Sequence, residues 1–121
     1  MSTLVVDAAN VVGSRPDGWW KDRAGAARRL HEQLMVADLA YDDVVLVLEG
    51  AAKAGVRPGR DGHVRTVHAK GSGDDEIVAQ ARAAAERGDR VAAVTADRML
   101  QARVGGVGAQ ALGPSWLLDQ L

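Results

Sequence analysis

Three short runs in this chain are apolar, or nearly so, without any alternation: TLVV (3–6), VVLVL (44–48) and VAAV (91–94). Each is too short to stand as a helix and is rich in β-branched residues, so each reads as a strand buried on both faces. The stretches between them carry helical signals. From Asp22 to about Leu39, Ala26, Leu30, Leu34 and Ala37 recur on one side, with Arg28, Arg29 and Glu32 on the other. A second helix is expected over 74–87, with Gly88 as its stop, a short third over 97–104, and a terminal one from Pro114. Strands apolar on both faces that alternate with helices require a mainly parallel sheet covered on both sides.

The full expectation is an α/β domain with about five strands, at 3–7, 42–50, 63–69, 91–97 and 109–113. Loops are expected over 11–21, which holds Gly13, Pro16 and Gly18, and over 55–62. At 121 residues the chain is expected to form one domain, 1–121. Its core must be built from Val, Leu and Ala, because the sequence has no Phe, three Trp and one Tyr. No run approaches the roughly 18 apolar residues of a membrane span, and the N-terminus lacks a signal-peptide pattern. With no cysteine, disulfides and thiolate metal sites are excluded, and a cytoplasmic location is the expectation.

The net charge of -1 argues against a general nucleic-acid coat, yet it hides an asymmetry. Residues 53–70 hold Lys53, Arg57, Arg60, Arg65 and Lys70 against Asp61 alone, so the remainder is acidic. Such a stretch is either a local polyanion surface or a solvated loop and strand.

Open parallel sheets place their sites beyond the carboxyl ends of the strands. Asp7 ends the first strand, Asp97 the fourth, and Asp74, Asp75 and Glu76 open the helix after the third. A carboxylate at the mouth of a buried strand is costly unless something positive meets it. Taken singly, Asp74, Asp75 and Asp97 have ordinary readings as helix-terminal acids, with Ser72 an alternative cap, and Glu49 as an exposed edge residue. Taken together, acids from three strand ends on one rim repel one another, and a divalent cation relieves that repulsion. Hard oxygen donors favour Mg²⁺ or Mn²⁺. Asn10 either supplies a further oxygen or orients Asp7.

These residues carry a resemblance. VVDAANVV is similar to the opening Asp-x-x-Asn strand of the NYN branch of the PIN-like nucleases, with Ala8-Ala9 where Gly often stands. GSGDDEIV resembles that family's central acidic segment and VTAD its third acid, in an order and spacing most like the bacterial YacP-like group. The resemblance implies a three-layer α/β/α PIN-like domain and metal-dependent ribonuclease chemistry on single-stranded RNA. It places Asp7, Asp74 and Asp97 on the metal and Asp75 as a further ligand or proton acceptor. One departure is Gln101, which stands where some members carry another acid.

Around that centre, Arg98 next to Asp97 and Arg15 after the first strand are candidate phosphate contacts, with Arg65 and its basic neighbours a candidate tracking surface. Trp19 and Trp20 either stack on unpaired bases or pack on a neighbouring helix. His68 reads as a general acid or an exposed strand residue, and His31 has no assigned role. Two other classes compete with the nuclease: a PIN-like shell that binds RNA or protein without cutting, and a nucleotide phosphohydrolase. A homodimer is compatible with either, and no Gly-x-x-x-x-Gly-Lys loop is present to support the second.

Overall fold

The computed structural model describes residues 1–121. Its centre is a six-stranded sheet in the order β3-β4-β2-β1-β5-β6. The strands are β1 (Ser2–Asp7), β2 (Asp43–Leu48), β3 (Gly59–Asp61), β4 (Val64–His68), β5 (Arg90–Val94) and β6 (Gln110–Leu112). All neighbours run parallel except β3 against β4. The helices are α1 (Ala8–Gly13), α2 (Arg23–Val36), α3 (Gly73–Glu86), α4 (Arg98–Gly106) and α5 (Pro114–Leu118). No helix is long and apolar enough to cross a membrane.

The unbroken apolar runs are explained by two cores, one on each face. Because strand side chains alternate, Leu4, Val6, Val44, Leu46 and Leu48 point to one face, where α1, α2 and α5 bring Val11, Leu30, Leu34 and Leu117. Val5, Val45, Val47 and Ala93 point to the other, against Ile77, Ala81, Leu100 and Val104 of α3 and α4. The result is the three-layer α/β/α arrangement with a mainly parallel sheet.

Two expectations are corrected. The segment 55–62 is not all loop: Gly59–Asp61 adds a sixth strand, antiparallel to β4, through a tight turn at Gly62, whose φ is 60°. A glycine at positive φ in the first position is what one of the two common two-residue hairpin turns requires, so the Gly62-His63 pair held the signal. The segment 11–21 is not all loop either, because α1 begins directly after Asp7 and runs to Gly13. Six residues with two valines have little intrinsic helicity. Burial of Val11 and Val12 in the core forms this helix.

The short 3-10 segment Gly50–Gly55 after β2 packs tightly on α2. A Cβ on Gly55 would land on the carbonyl oxygen of Ala24. Backbone cannot move aside as a side-chain tip can, so Gly55→Ala is expected to destabilise the protein by about 2 kcal/mol or more. Urea unfolding checks this as a lowered midpoint with an unchanged slope.

The topology fixes where a site can form. From β1 the chain moves outward to β2 and then β4, and it returns to the other side of β1 as β5. The order therefore reverses between β1 and β5, and the crevice at the carboxyl end of that pair is where open sheets of this kind bind ligands.

Candidate active site

Asp7 lies at that crevice. It is 5% exposed, and its odd position puts its side chain on the α3/α4 face with Val5. Three neighbours hold it. Thr95 Oγ1 donates to Oδ2 at 3.0 Å, Asn10 Nδ2 donates to the same oxygen at 3.0 Å, and the Asn10 backbone N–H donates to Oδ1 at 3.3 Å. That last contact makes Asp7 the N-cap of α1. Burial nonetheless raises the Asp7 carboxyl above its ordinary pKa; the hydrogen bonds from Thr95 and Asn10 oppose the rise, and the charge of Asp74 adds to it.

Thr95, fully buried, ties the ends of β1 and β5 together. Its hydroxyl also accepts from the Asp97 backbone N–H at 3.2 Å, and its carbonyl accepts from Gln101 Nε2 at 2.7 Å. Asn10 bridges the same gap, since its Oδ1 accepts from the Ala96 N–H at 3.0 Å. Both ends of the Asn10 amide are thus engaged, which makes it a residue that orients Asp7. From the sequence Thr95 is either a hydroxyl support for Asp97 or a plain β-branched strand residue; it is the support, and its contact with Asp7 is the part that position alone does not signal.

Asp97 is exposed and caps α4, with Oδ1 accepting from the Leu100 N–H at 3.0 Å. Ser72 caps α3, which leaves the half-buried Asp74 carboxylate without a hydrogen-bond donor. Partial burial raises the Asp74 pKa, with Asp97 and then Glu49 adding to the rise and Arg103 opposing it. Glu49 is exposed, as expected from its place at the end of a strand, and it has a further role. At the end of β2 its Oε2 accepts from the Gly73 N–H at 2.8 Å, which fixes the N-terminus of the helix that carries Asp74.

Asp7, Glu49, Asp74 and Asp97 therefore share one rim and none of them is in an ion pair, although Arg103 offsets part of the charge around Asp74. Each keeps oxygen lone pairs free, and the donor chemistry is all hard oxygen, which fits a Mg²⁺- or Mn²⁺-type ion. No three acidic or imidazole side chains stand close enough to form a ready ligand cluster.

Other candidates lie apart from this rim or are engaged elsewhere. Asp75 is exposed and pairs with Arg103 at 2.9 Å, on the α4 flank. Arg98 is exposed and has no hydrogen-bond or ion-pair partner. Arg15 follows α1, not β1, and donates to Gln33 at 2.7 Å. Arg65 is displaced from the rim: β4 reaches the level of Asp7 at Val67, and Arg65 donates to Gln80 midway along α3 at 2.7 Å. Burial lowers its pKa, with Arg60 and Arg87 adding to that effect. Within the basic stretch Arg57 pairs with Asp61 and Arg60 with Asp43, whereas Lys53 and Lys70 are in no ion pair. His68 and His63 are bound to the carbonyls of Val56 and Leu34. Trp20 is 57% exposed, and Trp19 packs partly against the core.

No family model matches the sequence, and no curated protein matches it closely. Solved structures do resemble it. A crystal structure of Rae1 (YacP) from Bacillus subtilis superposes with a TM-score of 0.72 at 21% identity, covering 98% of this chain and 72% of that one. A structure of a point variant of that protein gives a TM-score of 0.64 at 19% identity, covering 98% and 74%. The chain thus shares with Rae1 an α/β fold whose six-stranded, mostly parallel sheet is flanked by helices.

Proposed function

We propose that this protein is a metal-dependent endoribonuclease of the NYN type, acting on single-stranded RNA at the rim between β1 and β5. One observation carries the reading: a buried Asp7, held by Thr95 and Asn10, lies near Asp74, which in turn lies near Asp97 and Glu49, and none of the four acids is in an ion pair. Uncompensated charge of this kind is costly to fold, and it persists where it has a use.

Asp7, Asp74 and Asp97 would hold a Mg²⁺ or Mn²⁺ ion. When bound, such an ion supplies charge stabilisation on the scissile phosphate and a water made nucleophilic at neutral pH. The protein's own part is positional. Thr95 and Asn10 fix the Asp7 carboxylate, and Glu49 fixes the helix end that presents Asp74. Arg98, exposed and unpaired beside Asp97, meets a non-bridging phosphate oxygen in the fork geometry of a guanidinium. Asp75, engaged by Arg103 on the α4 flank, has no part in this reading.

The second reading, a related fold that holds RNA without cutting it, has an observation in its favour. Gln101 replaces a possible further acid and spends its amide on the Thr95 carbonyl, and no ready ligand cluster stands at the rim. Labelled single-stranded RNA incubated with Mn²⁺, with Mg²⁺ and with chelator separates the two. The nuclease reading expects cleavage on the order of a hundredfold or more above the chelator control. Equal, negligible cleavage in all three, with RNA still retained, supports the binder.

A further inference from the structure

We propose that the cavity beside the acidic rim is a subsite for one unpaired RNA base, an inference that rests on the nuclease reading above. The cavity has a volume of about 380 Å³, within the range of small-ligand pockets. Its lining includes Ala8 and Val12 of α1, Ala27 of α2 and Ala52 of the 3-10 segment Gly50–Gly55, small side chains that leave a slot between these elements. Trp19 forms a wall, and the exposed Arg23 guanidinium lies over that indole, 5.3 Å from its centroid. Glu49 closes the side nearest the acids.

Each part matches a part of a nucleotide. Flat rings stack on indole and guanidinium planes, and such stacking tolerates any base. Glu49 spends one oxygen on Gly73 and keeps the other to accept an N–H from a base edge. Arg23 carries the positive charge that a backbone phosphate needs. A purely aliphatic occupant would make no use of the free Glu49 oxygen or of the Arg23 charge, and a bare anion would make no use of the alanine lining.

The cavity is also joined to the proposed chemistry. Ala8 follows Asp7 in the chain, and Glu49 both lines the cavity and fixes the helix end that bears Asp74. A base held here lies against the segment that presents Asp7, so the subsite would position a nucleotide that flanks the cut.

The test uses the intact protein in chelator, titrated with each of the four nucleoside 5′-monophosphates and, separately, with ribose 5-phosphate, followed by amide and indole NMR shifts. At least one nucleotide is expected to give saturable shifts at Ala9, Trp19 and Ala52, which ribose 5-phosphate does not reproduce. Ala52→Leu, which fills the slot, and Arg23→Gln, on the surface, are each expected to weaken binding about tenfold. Should Ala52→Leu fail to fold, Arg23→Gln carries the comparison. The subsite is overturned if nucleotides do no more than ribose 5-phosphate, or if folded variants bind as the wild type does. Wild type that cleaves RNA yet takes no base overturns the subsite alone. Wild type that takes a base and cleaves no RNA overturns the nuclease reading alone.

Discussion

Asp7→Asn is expected to lower metal-dependent RNA cleavage at least about a hundredfold while leaving the protein folded and, in chelator, more heat-stable. The two effects share a cause. The carboxylate is buried and its pKa is raised by desolvation, so its ionised form is unfavourable in the metal-free fold. An amide of the same shape keeps its oxygen towards Thr95 and the Asn10 side chain, and the bond that it gives up is the long one, 3.3 Å, from the Asn10 backbone. The expected rise in Tm is roughly 2–5 °C. The sign with pH follows from linkage. Asp7 and Asp74 both hold a proton more tightly folded than unfolded, so the folded state binds more protons between the ordinary value of 3.8 and the raised ones. Across that window, stability in chelator falls as pH rises, and Asp7→Asn flattens the fall. Differential scanning calorimetry over a pH series, with and without Mn²⁺, reads both effects. Wild-type cleavage by Asp7→Asn would end the nuclease assignment, and a lower Tm in chelator would show that the charge is already compensated.

The fold was largely legible because its strongest signals are local. Three runs without alternation imply a doubly covered parallel sheet, and Val44–Leu48 and Val91–Val94 lie in strands as their composition required. What escaped were elements that depend on tertiary packing. Helix α1 exists because Val11 and Val12 are buried, and β3 because Gly62 permits a hairpin that three polar or small residues would not otherwise form. The acids at strand ends were readable from position alone, since the chain order of a doubly wound sheet brings those ends together. Orientation was not readable. Whether Arg65 reaches the rim depends on the register of β4 against β2, and that register sets it below the level of Asp7. Glu49 escaped because its role is a single bond to Gly73, twenty-four residues away in the chain. The cavity escaped for a similar reason: Ala8, Ala27 and Ala52 are unremarkable alanines until three separate segments pack side by side.

Thr95→Val is expected to be the costliest change at the rim, destabilising the protein by about 2–3 kcal/mol and lowering cleavage tenfold or more. The replacement keeps the shape and burial of the side chain but removes both functions of one hydroxyl. Asp7 loses a charge-assisted donor at 3.0 Å inside the protein, and the Asp97 N–H loses its acceptor at 3.2 Å. A hydrogen bond to an ionised group contributes more than one between neutral groups, so the loss must depend on what stands at position 7. In an Asp7→Asn background the same substitution is expected to cost only about 1 kcal/mol, and the difference between the two legs of this double-mutant cycle measures the bond to the buried charge. Thr95→Ser supplies the control that separates positioning from packing. It keeps the hydroxyl and gives up one methyl group, so cleavage and metal affinity should return while a modest loss of stability remains. If Thr95→Ser is as inactive as Thr95→Val, the methyl matters more than the hydroxyl, and the hydrogen bond does not hold Asp7 in place. If the cycle shows no coupling, Asp7 is held by Asn10 alone, and the two strand ends are joined only through the Asn10 bridge to Ala96.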